Sequence, residues 1–296
     1  MRETRQPVTH AYPWTNMEAD AQKISMREFA EAGETHLVLT NRLLGAACGD
    51  PDYLIRFHRK MREFGLDFVD AHALWGTWSD LGLPLEEWHD QLIARHRACI
   101  CFCARFGVDT LTFHTGNTLN SVFGQGLRLE DYRKMLIRSL EELLPDAGKY
   151  GVVLALENQW TPLNHSRILL EIMERFRSPY LGLCYDAGHG NLMEKGMLFP
   201  EETCVPDIWN DLGAPVEWET ELVEKFVPWL VNCHLHDNHG ITDEHLLPGR
   251  GTVDWTRVRN ALRRAPRLRN IQNESSFFNC SIRESGAAVR AVLQEA

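Results

Sequence analysis

Histidines and carboxylates recur along this sequence at intervals that suit metal-assisted proton transfer. His72, His114, Glu157, Asp186, His234 and Glu274 fall in or at the ends of six short apolar runs, LDFVDAHA, DTLTFHTG, GVVLALEN, LGLCYDAG, LVNCHLHD and RNIQNES. His189 follows Asp186 by three residues, and the stretch DEHLLPGRG adds Asp243 and His245. Mixed imidazole and carboxylate donors accept several divalent cations. A divalent cation polarises a neighbouring carbonyl, and a carboxylate beside it can take or return a proton. A lone histidine or glutamate at the end of a strand is usually a hydrogen-bonded structural residue. Six in succession are different, because they gather like charges where unpaired carboxylates are costly and a bound cation is the usual remedy.

The elements that must position these residues are legible as alternating strand and helix patterns. Strands are expected at 35–40, 66–73, 109–116, 151–158, 181–188, 230–237 and 269–275, with a weaker one, VTHAY, at 8–12. Most of their interiors are nearly continuous apolar runs, as in strands covered on both faces by helices. Between them lie amphipathic stretches with helix start and stop signals. Ser25-Met-Arg-Glu28 and Ser281-Ile-Arg-Glu284 read as capping boxes, and Asp50-Pro51 as an N-cap followed by proline in the first turn. Gly33, Gly65 and Gly107 stand where helices should stop. Strand and helix repeated eight times predict one parallel (β/α)8 TIM barrel over residues 1–296, with 191–215 as an irregular insertion. No G-x-G-x-x-G follows the early strands to favour an open doubly wound sheet. In such barrels chemistry collects at the carboxyl ends of the strands, where the histidines and carboxylates fall.

Composition narrows the partners. The 296 residues are 44% hydrophobic and 24% charged, enough apolar material for a sizeable core. A net charge of -10 disfavours a broad grip on nucleic acid, which needs clustered Lys and Arg. No apolar run approaches the roughly 20 residues that span a bilayer, and the start, MRETRQPVTHAYPW, lacks the apolar region of a secretory signal. The eight cysteines form no C-x-x-C pair, a usage that suits reduced thiols and a cytoplasmic location. Cys99, Cys101 and Cys103 read as small core residues, and His10, His36, His58, His89, His96 and His165 as structural or solvated.

The motifs LEN (156–158), CYDAGH (184–189), HLHD (234–237), DEHLLPGRG (243–251) and NES (273–275) resemble those of the xylose-isomerase-like barrel superfamily. That group contains sugar and sugar-phosphate isomerases and epimerases, and also apurinic-site endonucleases of the endonuclease IV type. The resemblance implies that Glu157, Asp186, His234 and Glu274 hold one central ion, commonly Mn, Mg, Co or Zn, with no organic cofactor. Strand periodicity alone does not choose between His234 and His236. The family pattern, with its ligand three residues before the acidic residue, selects His234 and leaves His236 to support it. In similar epimerases two glutamates flank a hydroxy-ketone and exchange its carbon-bound proton through an enediolate. Glu157 and Glu274 take those roles by resemblance, with His189 on a substrate oxygen, His72 and His114 lining the substrate, and Arg250 placed to meet a phosphate or carboxylate.

The nuclease branch remains the alternative. Its three-zinc site uses nine side chains, matched here by His72, His114, Glu157, Asp186, His189, His234, Asp243, His245 and Glu274, so His72, His114, His189, Asp243 and His245 are candidates for additional ions. Against it, the sixth strand reads CYDAGH rather than D-T-C-H, and no basic and aromatic groove is evident in the loops. On the isomerase side, Gly240 stands where ketose 3-epimerases carry an arginine. A non-catalytic metal- or sugar-binding barrel would not need both glutamates. The expected partner is a small sugar or sugar phosphate, with a homo-oligomer as a further expectation.

Overall fold

The computed structural model describes residues 6–116, 126–277 and 280–294. Eight parallel strands run in the order β3-β2-β1-β8-β7-β6-β5-β4. They are β1 (Val8–His10), β2 (His36–Leu39), β3 (Asp67–Ala71), β4 (Thr110–Phe113), β5 (Val153–Glu157), β6 (Leu181–Asp186), β7 (Leu230–Leu235) and β8 (Asn270–Asn273). The gap between β3 and β4 is bridged by a parallel pairing of His72 with Thr112 and by the Ala73 N–H donating to the Thr112 carbonyl at 2.8 Å. The chain is therefore a (β/α)8 barrel, and each expected strand is present, the weak first one included.

Register carries the functional residues to one level. Asp186 pairs with His234 across β6 and β7, and Glu157 with Cys184 across β5 and β6. Most apolar side chains of the strands pack on the helical ring in one core, while Val153, Ala155, Cys184 and Val231 form a separate cluster. The lumen below the candidate site is more polar than apolar strand runs led us to expect. Asp70 accepts hydrogen bonds from Thr110 Oγ1 and Asn232 Nδ2, each at 2.8 Å, and Asn270 Nδ2 donates to Thr110 Oγ1 at 2.6 Å. These groups satisfy one another, which is what a buried polar layer requires. Burial pushes the Asp70 carboxyl above its ordinary value.

Local signals held unevenly. Asp50 caps helix Pro51–Arg62, and Ser281 with Glu284 forms a capping box on helix Ile282–Leu293. Gly33 and Gly107 close their helices with φ near 79° and 74°. The box expected at Ser25–Glu28 is a correction, because those residues lie inside helix Ala19–Ala32. Ser25 is buried there and meets Tyr12 Oη at 3.1 Å, so its hydroxyl has a tertiary partner instead of a helix end. The stretch 191–215 is also less irregular than expected. It contains the end of helix Ala187–Lys195 and the short helix Val205–Asp211, which build a small core of Leu192, Met193, Val205 and Trp209. No helix among the described residues is long and apolar enough to cross a membrane.

Candidate metal centre

Glu157 ends β5 with its side chain 1% exposed and surrounded by imidazoles. His72 Nε2 lies 3.2 Å from its carboxylate, His114 Nε2 3.4 Å, His189 Nδ1 3.2 Å and His234 Nδ1 3.5 Å. The same His234 nitrogen is 3.7 Å from Asp186 Oδ2 and 3.4 Å from Glu274 Oε1. The four residues expected around a central ion thus converge on one ring nitrogen. His234 is fully buried, and neither of its ring nitrogens has a hydrogen-bond partner. An imidazole buried and unpaired among carboxylates is costly, and a divalent cation between them answers both charges and orphaned nitrogen. The donor set fits such an ion.

The additional candidates gather next to it. Ligand atoms of His189, His236, Asp243 and His245 lie within 4.8 Å of one another, as do those of His72, Glu157 and His234. His236, assigned a supporting role, holds Asp186 through Nε2 at 3.0 Å from Oδ2 and stacks on His245 with ring centroids 3.9 Å apart. Asn158 clamps the backbone of Asp186 from both sides: it accepts from the Asp186 N–H at 2.8 Å and donates to the Asp186 carbonyl at 3.0 Å. Asp237 pins the loop that carries Asp243 and His245 back to the barrel mouth. Its carboxylate accepts from Gly249 N at 2.8 Å, Val253 N at 3.1 Å and Trp255 Nε1 at 2.8 Å. The return is tight enough to hold His245 at φ 50°, with its Nδ1 2.7 Å from the Glu274 carbonyl oxygen.

Gly188 lets His236 reach Asp186, because a Cβ at that position would fall inside the His236 ring. Gly188→Ala is therefore expected to displace His236, lower stability by about 2 kcal/mol and weaken metal retention together. Urea unfolding midpoints and metal content after gel filtration check it; an unchanged metal content would separate His236 from the centre.

Electrostatics favour an ionised, proton-competing site. Burial alone would raise the Glu157 carboxyl, but the neighbouring histidines, His234 first, hold it well below the usual range. Burial alone would lower His245, and the Asp243 carboxylate overrides it and lifts the imidazole to about 9. His189 is likewise pushed down by burial and carried well above its ordinary value by Asp186, Asp243 and Glu157. A ligating imidazole must be neutral, and the carboxylates around His189 and His245 favour the protonated rings, so metal uptake is expected to release protons. Apparent metal affinity is expected to fall as pH falls below about 9, by about tenfold per pH unit for each proton released. Calorimetric metal titrations in buffers of different ionisation enthalpy read that release directly; none at pH 7 would contradict the assignment.

Above these groups opens a cavity of about 320 Å³, in the range of small-molecule sites. His72, His114, Glu157, His189, Asp243, His245 and Glu274 line it, and the fully buried Asp186 and His234 adjoin these lining residues. All nine sequence candidates of metal-ligating type are thereby brought together. Arg250 is not: it is exposed and lines neither this cavity nor the adjoining one. Sequence reasoning missed Trp75, Gln159, Trp160 and Gln272, which also line the cavity. Trp75, 49% exposed, stands 5.3 Å from the His114 ring, and Trp160 4.9 Å from His189. Their signal was present, since each tryptophan follows a strand-end candidate, His72 or Glu157, by three residues. The other histidines flagged as structural meet structural partners where they are buried, His10 with Glu34, His89 with Glu142 and His165 with Glu219.

Residues 41–270 match the model of a family described as xylose isomerase-like TIM barrel. Among solved structures, D-psicose 3-epimerase with D-tagatose from Clostridium cellulolyticum H10 is 12% identical, with a TM-score of 0.69 over 98% of this chain and 100% of that one. The IOLI protein with a bound zinc atom is 16% identical, with a TM-score of 0.69 over 97% of this chain and 98% of the other. Those likenesses establish the fold alone. A probable endonuclease 4 of Thermotoga sp. is 24% identical over 154 residues, 50% of this chain and 51% of its own. The chain spans about half the length of that protein and of a 26% identical one from Sinorhizobium fredii, at 54%.

Proposed function

The chain belongs to the xylose isomerase-like TIM-barrel family, and from that premise we propose that it is a divalent-metal-dependent isomerase or epimerase of a small sugar. The observation that carries this reading is the placement of Glu157 and Glu274, each within 3.5 Å of His234 Nδ1 at the floor of a small-molecule cavity. A bound divalent ion supplies positive charge that acidifies a carbon-bound proton beside a carbonyl. Glu157, held ionised by its histidines, takes the proton, and Glu274, carrying a proton of its own, delivers it to the opposite face of the substrate, with solvent exchange resetting both carboxyls. Gln272 Nε2 donates to Glu274 Oε1 and fixes that carboxylate. His189, whose Nδ1 sits 3.0 Å from the Asn158 carbonyl oxygen, turns Nε2 toward Asp243 and a substrate oxygen. Trp75 and Trp160 offer aromatic faces to the C–H side of a sugar and exclude water from it.

Incubating the metal-loaded protein with a panel of ketoses in D2O tests this. Deuterium is expected to enter the carbon next to the carbonyl of at least one ketose, with a new stereoisomer or aldose accumulating alongside. Metal-replete protein that exchanges no carbon-bound proton in any of them would overturn the reading.

A second reading has one specific support: the convergence of all nine residues matched to the three-zinc nucleases, together with the Thermotoga relative. It predicts nicking of abasic-site DNA by the zinc-loaded protein. The cavity speaks for the sugar, since none of its described lining residues is a lysine or arginine to meet a phosphodiester backbone.

A further inference from the structure

A second opening of about 330 Å³ adjoins the metal cavity and shares Ala11, Thr40 and Asn41 as walls. Its far side is lined by Asn16, Arg42, Ser275 and Phe277. The two lobes differ in charge. The inner one holds Glu157, Asp243 and Glu274 and no lysine or arginine among the described residues. The positive charge of that lobe, on its imidazoles, already faces the carboxylates of Glu157 and Asp243. Among the described residues, the outer lobe holds one cation, Arg42.

Arg42 is placed against local electrostatics. It occupies the first turn of helix Asn41–Gly49, the positive end of the helix dipole, where a cation is disfavoured. Its Nη1 donates to Asn16 Oδ1 at 3.4 Å, and no carboxylate among the described residues pairs with it. Many exposed arginines of this acidic chain are paired with acids, among them Arg56, Arg97, Arg138 and Arg167. A guanidinium left unpaired at the rim of a cavity, flanked by neutral donors, is suited to a planar or tetrahedral oxyanion that it can grip with two N–H groups.

We propose that the outer lobe is an anion subsite, in which Arg42 binds the phosphate or carboxylate of a sugar whose reacting carbons lie over Glu157 and Glu274. The proposal rests on the sugar reading above and gives the recognition role expected of Arg250 to a residue at the start of the helix that follows β2. The substrate class is then a phosphorylated or carboxylated ketose in place of a free one.

Binding of D-fructose, D-fructose 6-phosphate and D-fructuronate to the Mn-loaded protein tests it, followed by calorimetry and by paramagnetic broadening of ligand protons. The expected result is that at least one anionic ligand binds tenfold or more tightly than D-fructose, and which one distinguishes phosphate from carboxylate. Arg42→Ala removes that preference and leaves D-fructose binding and metal content unchanged, Arg42→Lys keeps part of it, and Arg250→Ala keeps all of it. Equal binding of the three ligands, or a preference that survives Arg42→Ala, overturns the subsite and leaves the sugar reading standing. Failure of all three to bind the metal-loaded protein overturns both.

Discussion

Replacing Glu157 by glutamine is expected to lower turnover by about 10³-fold at saturating metal, with the fold intact. Glutamine keeps the shape of the side chain and loses its charge. Four imidazoles, those of His72, His114, His189 and His234, then face an amide that can accept no proton from carbon and neutralises none of them. Weaker metal binding accompanies the change, because an anionic donor is gone, so turnover must be compared at metal concentrations that saturate both proteins. The assay is isomerisation of the ketose identified by deuterium incorporation. Turnover within about fivefold of the parent would remove Glu157 from the proton-transfer step.

Metal removal should have the second large effect. Chelation leaves His234 buried with two unpartnered ring nitrogens between Glu157, Asp186 and Glu274. An ion present at about a thousand times its dissociation constant contributes about 4 kcal/mol to folding, which for a chain of this size is a difference of roughly 10 °C in Tm. Activity should vanish with the ion and return when it is restored. His234→Ala should abolish the difference, melting at the same temperature with and without chelator. A parent Tm that ignores both chelator and added metal would contradict a centre built into the fold.

The barrel was legible because its strands are written as apolar runs, and because the histidines and carboxylates stand at their carboxyl ends. Glu157 after VVLAL needed no knowledge of the loops, whereas His234 was chosen over His236 by the family resemblance and not by its strand. Ser25–Glu28 misled because S-x-x-E also describes two residues one turn apart on a continuous helix, and the partner that occupies Ser25, Tyr12, is not local in sequence. The small core around Trp209 was invisible because it forms against Trp160 and Trp218, supplied by separate loops. Arg250 failed for a related reason. Its loop is folded by three donors to Asp237, which bring Asp243 and His245 inward and leave Arg250 outside. Arg42 was overlooked because nothing in the order of residues brings the start of a helix beside the β8 loop at Ser275 and Phe277.

The central claim is that a single point near His234 Nδ1 holds a divalent ion. Anomalous diffraction from crystals of the protein purified with manganese or zinc tests it most directly. An anomalous peak about 2.0–2.3 Å from donor atoms of Glu157, Asp186, His234 and Glu274 is the predicted result. A metal-replete crystal with no peak among those four side chains, or with its ion elsewhere, would contradict it.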